Sequence, residues 1–227
     1  MTEIPSFPQS ALPRLTVKEK NALVSHGEYT GPLQAGPVLV KEVFLKGKKS
    51  ARDNEDGIYV GRDFVAVVDG ATSKSDTPLF EGKPGGMAML LTLSAIHSLP
   101  PWCSWPEALV RLTAALQTFF AGRGLVERLK AHPEERPTAS AVIYSRYRHE
   151  IWMVGDCQCL VGQRLFTNAK VIDDIMARAR AAYDHALLQS GEATLESLLE
   201  DDPGRAFIMP FLKRQGFLQN CPSPAEP

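Results

Sequence analysis

The stretch Phe64-Val65-Ala66-Val67-Val68-Asp69-Gly70 is apolar up to its last two residues, where a carboxylate and a glycine end it. Such a run buries as a strand, and a strand that carries an acid at its tip is unfavourable unless the acid has a partner, most simply a cation. Thirteen positions earlier, Asn54-Glu55-Asp56-Gly57 sets a second acid before a glycine. Between the two, Gly57-Ile58-Tyr59-Val60-Gly61-Arg62-Asp63 reads as a strand and a tight turn. The spacing predicts a hairpin that brings Asp56 and Asp69 to one end of a sheet.

Periodicity divides the rest of the chain. Residues 1–36 scatter Pro, Gly and Ser without a repeat and read as an extended or poorly ordered N-terminal arm. A domain is expected over 37–218 and a disordered tail over 219–227. Pro37-Val38-Leu39-Val40-Lys41-Glu42-Val43-Phe44-Leu45 is a β-type run, and Lys46-Gly47-Lys48-Lys49-Ser50 is a basic turn. After Asp69-Gly70 comes a polar loop, and Gly85-Gly86 then opens a buried helix over 87–98 that Pro100-Pro101 stops. Trp105-Pro106-Glu107 starts a second helix, with Pro106 in the first turn and Leu109, Leu112, Leu116 and Phe119-Phe120 at helical spacing. Strand patterns return over 138–145 and 150–156, joined by a charged turn, and 157–161 extends the second or turns into another. Helices are expected over 172–189 and 194–199. This order predicts an α+β fold with helices packed on antiparallel sheet.

Charge and composition exclude several classes. A net charge of −1 and the absence of any long basic run leave no nucleic-acid footprint. The longest apolar stretch, around 87–99, is too short and interrupted to span a bilayer, and the N-terminus lacks the pattern of a signal peptide. The expectation is a cytoplasmic protein with no membrane or nucleic-acid partner. Cys157-Gln158-Cys159 lacks the second pair that a zinc ribbon needs and reads as structural thiols. Trp102, Trp105 and Trp152 read as packing residues, and Ser140 has no evident base partner that would make it a nucleophile.

Three segments share one design, an acid beside glycine at a strand end: Asn54-Glu55-Asp56-Gly57, Val67-Val68-Asp69-Gly70 and Met153-Val154-Gly155-Asp156. Hard divalent cations take carboxylate and carbonyl oxygens and keep waters when few protein ligands are offered. The order of motifs resembles the type 2C, metal-dependent serine/threonine protein phosphatases. Bacterial members carry an Asn-Glu-Asp motif, a strand ending in Asp-Gly, a glycine-led helix, a Thr/Ser-Ala strand and a Val-Gly-Asp strand end. These match Asn54-Glu55-Asp56, Val68-Asp69-Gly70, Gly85-Gly86-Met87, Pro137-Thr138-Ala139-Ser140-Ala141 and Val154-Gly155-Asp156, so the resemblance covers roughly residues 38–162.

The resemblance implies an α-β-β-α sandwich of two antiparallel sheets flanked by helices, here without its last strand or strands, and metals in a channel at one end. It implies two Mn2+ or Mg2+ ions bridged by Asp56 and Asp69, with the Gly70 carbonyl as a further ligand. Glu55 would stand behind these or act through a water, and Asp156 would belong to an outlying metal site. The implied activity is hydrolysis of phosphoserine or phosphothreonine in a phosphorylated protein, with metal-activated water as nucleophile and no catalytic side chain assigned. The family's phosphate-gripping arginine has its nearest counterparts in Arg52, one residue too close to the motif, and Lys49. Family members supply further acids downstream from strand ends; here Asp173-Asp174, Asp184 and Asp201-Asp202 lie in or beside helical sequence. The alternative is a catalytically weak or inactive relative that binds phosphoproteins or regulatory partners on the same scaffold; a third reading is an adaptor whose acids only make turns.

Overall fold

The computed structural model describes β1 (Leu23–Val24), β2 (Tyr29–Ala35), β3 (Val38–Leu45) and residues 54–71, 75 and 83–218. An antiparallel five-stranded sheet runs in the order β1–β4–β5–β6–β7, with β4 at Asp56–Val60, β5 at Phe64–Ala71, β6 at Thr138–Ser145 and β7 at Glu150–Val154. The expected hairpin is β4–β5, closed by a 2.9 Å bond from Gly61 N–H to the Phe64 carbonyl. Val60 faces Val65 at its closed end and Asp56 faces Asp69 at its open end. β2 and β3 form a separate two-stranded sheet, so part of the stretch read as an arm is a strand paired with the expected run.

Burial alternates along β5 and defines two faces. Phe64, Ala66 and Val68 are buried, and their registered neighbours Ala141, Ile143 and Trp152 continue that face across β6 and β7. Helix α1 (Pro84–His97) covers it, with Met89, Leu93 and Ile96 wholly inside. A helix apolar on nearly every side belongs in a core, and each such side chain contributes about 1.5–3 kcal/mol by burial. Helix α2 (Trp105–Ala121) packs against α1, and Trp152 lies 5.9 Å from the ring centres of both Phe64 and Trp105. Trp102, expected to pack, is instead 63% exposed.

The opposite face carries two apolar rows, Ile58–Val67–Val142–Met153 and Val60–Val65–Tyr144–Ile151. Ile58 and Val60 are buried, and the β2–β3 hairpin contacts their strand; Val67, Tyr144 and Ile151 are exposed. The described residues therefore give a mixed α/β fold: an antiparallel sheet with helices on one face and a small hairpin in contact with β4.

Beyond β7, β8 (Gln158–Val161) and β9 (Arg164–Thr167) make a short ribbon, and the expected long helix is α4 (Val171–Ser190), after α3 (Val126–Ala131) earlier in the chain. Gly191 ends α4 at φ 75°, and Thr194 caps α5 (Leu195–Glu200). Helix α6 (Pro203–Arg214) was not evident from sequence because Pro210 interrupts its pattern. It lies along α4, where Tyr183 and Phe207 stack with centroids 4.6 Å apart. Arg136 fastens this part to the body by donating to the carbonyls of Leu129 and Gly216, at 2.7 and 2.9 Å. Among the described residues no helix is long and apolar enough to cross a membrane.

Two glycines set how α1 meets the acid-bearing end of the sheet. A Cβ on Gly70 would strike the Gly85 carbonyl, and a Cβ on Gly85 would lie 2.5 Å from Glu55 Oε1 and 2.6 Å from the carbonyls of Gly70 and Ala71. Gly70 N–H also donates to the Glu55 carbonyl at 3.0 Å, which ties the end of β5 to the residue before β4. The next residue, Gly86, has open space where its Cβ would be. Gly70→Ala is expected to lower the free energy of unfolding by about 2 kcal/mol or more. Gly86→Ala should leave it unchanged or raise it by up to about 1 kcal/mol. Urea denaturation of the two variants checks this, and equal effects would contradict the close-approach account.

Candidate functional site

Three polar residues stand in one row across the open end of the sheet. Asp56 on β4 is the direct partner of Asp69 on β5, and Asp69 is the direct partner of Ser140 on β6. Residues paired in register share a face, and the alternation in β5 puts this row on the face opposite α1. Asp69 is exposed and Asp56 half-buried. The Asn-Glu-Asp motif thus splits into three jobs. Asn54, buried, clamps the Asp56 backbone from both sides: its Oδ1 accepts from Asp56 N–H at 3.0 Å and its Nδ2 donates to the Asp56 carbonyl at 2.9 Å. Glu55 is buried toward Gly85 in the first turn of α1, where the helix dipole favours a carboxylate. Asp56 is left on the open face.

Asp156 reaches the row from beyond β7. Gly155 adopts φ 73°, and a Cβ there would lie 2.5 Å from Ser140 Oγ, so both backbone conformation and space call for glycine. The turn it makes lets Ser140 Oγ donate to Asp156 Oδ1 at 2.7 Å. Lys170, the residue before α4, sets its Nζ 3.2 Å from Asp156 Oδ2. Partial burial pushes the Asp156 carboxyl up, but the Ser140 hydrogen bond and the Lys170 charge outweigh it, and the group sits below the usual aspartate range. Burial raises the neighbouring Cys157 thiol, a backbone hydrogen bond at Val154 opposes it, and the Asp156 charge adds to the rise.

Of the residues expected at the site, Asp56 and Asp69 come together, Asp156 joins them through Ser140, and Glu55 lies on the helix side. The Gly70 carbonyl lies against Gly85. Arg52 and Lys49 fall outside the described residues. The later acids serve α4 and α6: Asp174 pairs with Arg178 at 3.0 Å, Asp184 lies 3.9 Å from Arg180, and Asp202 binds Arg180 and caps α6. Sequence reasoning missed Ser140 and Lys170 as members of the row. Ser140 had a signal, a small polar residue at a strand start opposite the acid; Lys170 had none.

Among the described residues no three His, Cys, Asp or Glu side chains converge on one point. Two adjacent carboxylates on an accessible face suit a hard ion that keeps most of its waters, and like charges directly opposite on paired strands repel. Comparisons with protein-family models, with curated proteins and with solved structures find no match for this chain. In metal-free buffer Asp69→Asn is expected to stabilise the fold, by about 0.2–1 kcal/mol, through relief of that repulsion. A clear loss of stability in thermal melts would make Asp69 a structural acid instead.

Proposed function

We propose that this chain is a metal-dependent phosphoprotein phosphatase of the type 2C kind, hydrolysing phosphoserine or phosphothreonine esters at the open end of the main sheet. One observation carries the reading: Asp56 and Asp69 are direct partners on an accessible face, and the Asn54 clamp holds the backbone of the first. In this reading the two aspartates hold Mn2+ or Mg2+, with the Gly70 carbonyl as a further oxygen and Glu55 behind them. Such an ion, when bound, offsets charge on phosphoryl oxygens and lowers the pKa of water.

The chain's own residues do the positioning. Asn54 fixes the Asp56 backbone, and the contact of Gly70 with Gly85 holds the tip of β5 against α1. Ser140 continues the polar row beside Asp69. The exposed side of the row leaves access for a phosphate carried on another protein. The fold that goes with this reading is an α-β-β-α sandwich, with the β2–β3 hairpin as part of the second sheet.

The alternative reading, a scaffold that binds phosphoproteins or regulatory partners with little or no turnover, is favoured by the engagement of the later acids with arginines in and around α4. Steady-state hydrolysis of p-nitrophenyl phosphate with Mn2+ separates the two. The phosphatase reading expects Mn2+-dependent turnover that Asp69→Asn lowers by about a hundredfold or more. Mn2+ binding by calorimetry without turnover would favour the scaffold, and neither binding nor turnover would overturn the metal reading altogether.

A further inference from the structure

We infer that Lys170 is the resident cation at the Asp156 end of the row, so that Asp156 serves an ammonium group instead of a metal ion. The inference takes its meaning from the reading of Asp56 and Asp69 as metal ligands, but its observations are separate. Both oxygens of Asp156 are engaged, Oδ1 by Ser140 Oγ at 2.7 Å and Oδ2 by Lys170 Nζ at 3.2 Å.

The lysine is held there by more than the ion pair. Asn168, two residues earlier, brackets the turn that carries Asp156: its backbone N–H donates to the Cys157 carbonyl at 3.0 Å, and its Nδ2 donates to the Gly155 carbonyl at 2.7 Å. Lys170 then stands at the N-cap of α4. The β8–β9 ribbon is thereby closed onto the end of β7, and a positive charge is delivered to the acid. With Lys170 and Asp156 each about half exposed, at 51% and 47%, the pair adds little to stability. Its effect is local. It cancels one of the negative charges at the sheet end and takes the position that a divalent ion would need in order to use Asp156. Metal binding is then confined to Asp56 and Asp69.

The test is Mn2+ binding to the full chain, by calorimetry and by paramagnetic resonance of free Mn2+, in wild type, Asp156→Asn, Lys170→Arg, Lys170→Ala and the double variant Lys170→Ala/Asp156→Asn, each checked for folding by circular dichroism. Asp156→Asn and Lys170→Arg should keep the wild-type number of bound ions. Lys170→Ala should gain an additional, weaker Mn2+, and the double variant should lose it. Loss of an ion in Asp156→Asn would overturn the inference, as would a Lys170→Ala variant that gains none. Failure of the underlying metal reading shows separately, as wild-type protein that binds no Mn2+; the comparison of Lys170→Ala with wild type still decides the role of the lysine.

Discussion

Backbone touches backbone where α1 begins, at Gly85, and where β5 ends, at Gly70, with no side chain between them. Much of the arrangement at the acid end depends on this contact. Beside it, Gly70 N–H bonds the Glu55 carbonyl, which ties the start of β4 to the end of β5 and continues the hairpin's pairing to its open mouth. The glycine contact brings the first turn of α1 over Glu55 and so gives that carboxylate a place inside. Asp56, one residue after Glu55, and Asp69, one residue before Gly70, are then committed to the other face of the pleat. The core repeats the same division, with Met89 and Leu93 of α1 packed on one face of the sheet and Asp56 and Asp69 on the other.

The hairpin, α1, α2 and the β6–β7 pair were legible in the sequence because each has a clean period and a clear stop. Strand alternation with Gly61-Arg62-Asp63 between runs gives the first, and Pro100-Pro101 ends the second. What was not legible was hidden by residues that break those patterns. Gly31 and Pro32 lie inside β2, where the pairing with β3 shifts register, and an irregular strand of this kind has the composition of a loop. Pro210 did the same to α6.

At the site, the spacing of acids and glycines was readable, since a carboxylate before glycine at the end of an apolar run is an electrostatic anomaly in one dimension. The partners of Asp156 were not. Ser140 precedes it by sixteen residues, and Lys170 lies beyond two further strands; only the sheet register and the Asn168 bracket bring them together. Trp102 shows the converse: an aromatic side chain near a core helix looked like packing but faces outward, while its carbonyl accepts from Arg148 at 3.1 Å.

The alternation along β5 has one more consequence. A slip of a single residue in its pairing would exchange the two faces, carrying Asp69 under α1 and turning Val68 outward. The acid would then sit among Met89, Leu93 and Ala141, desolvated and out of reach of any ion. Asp69 is therefore also a proofreader of strand alignment: the charge that marks the open face penalises a register in which that face would be closed.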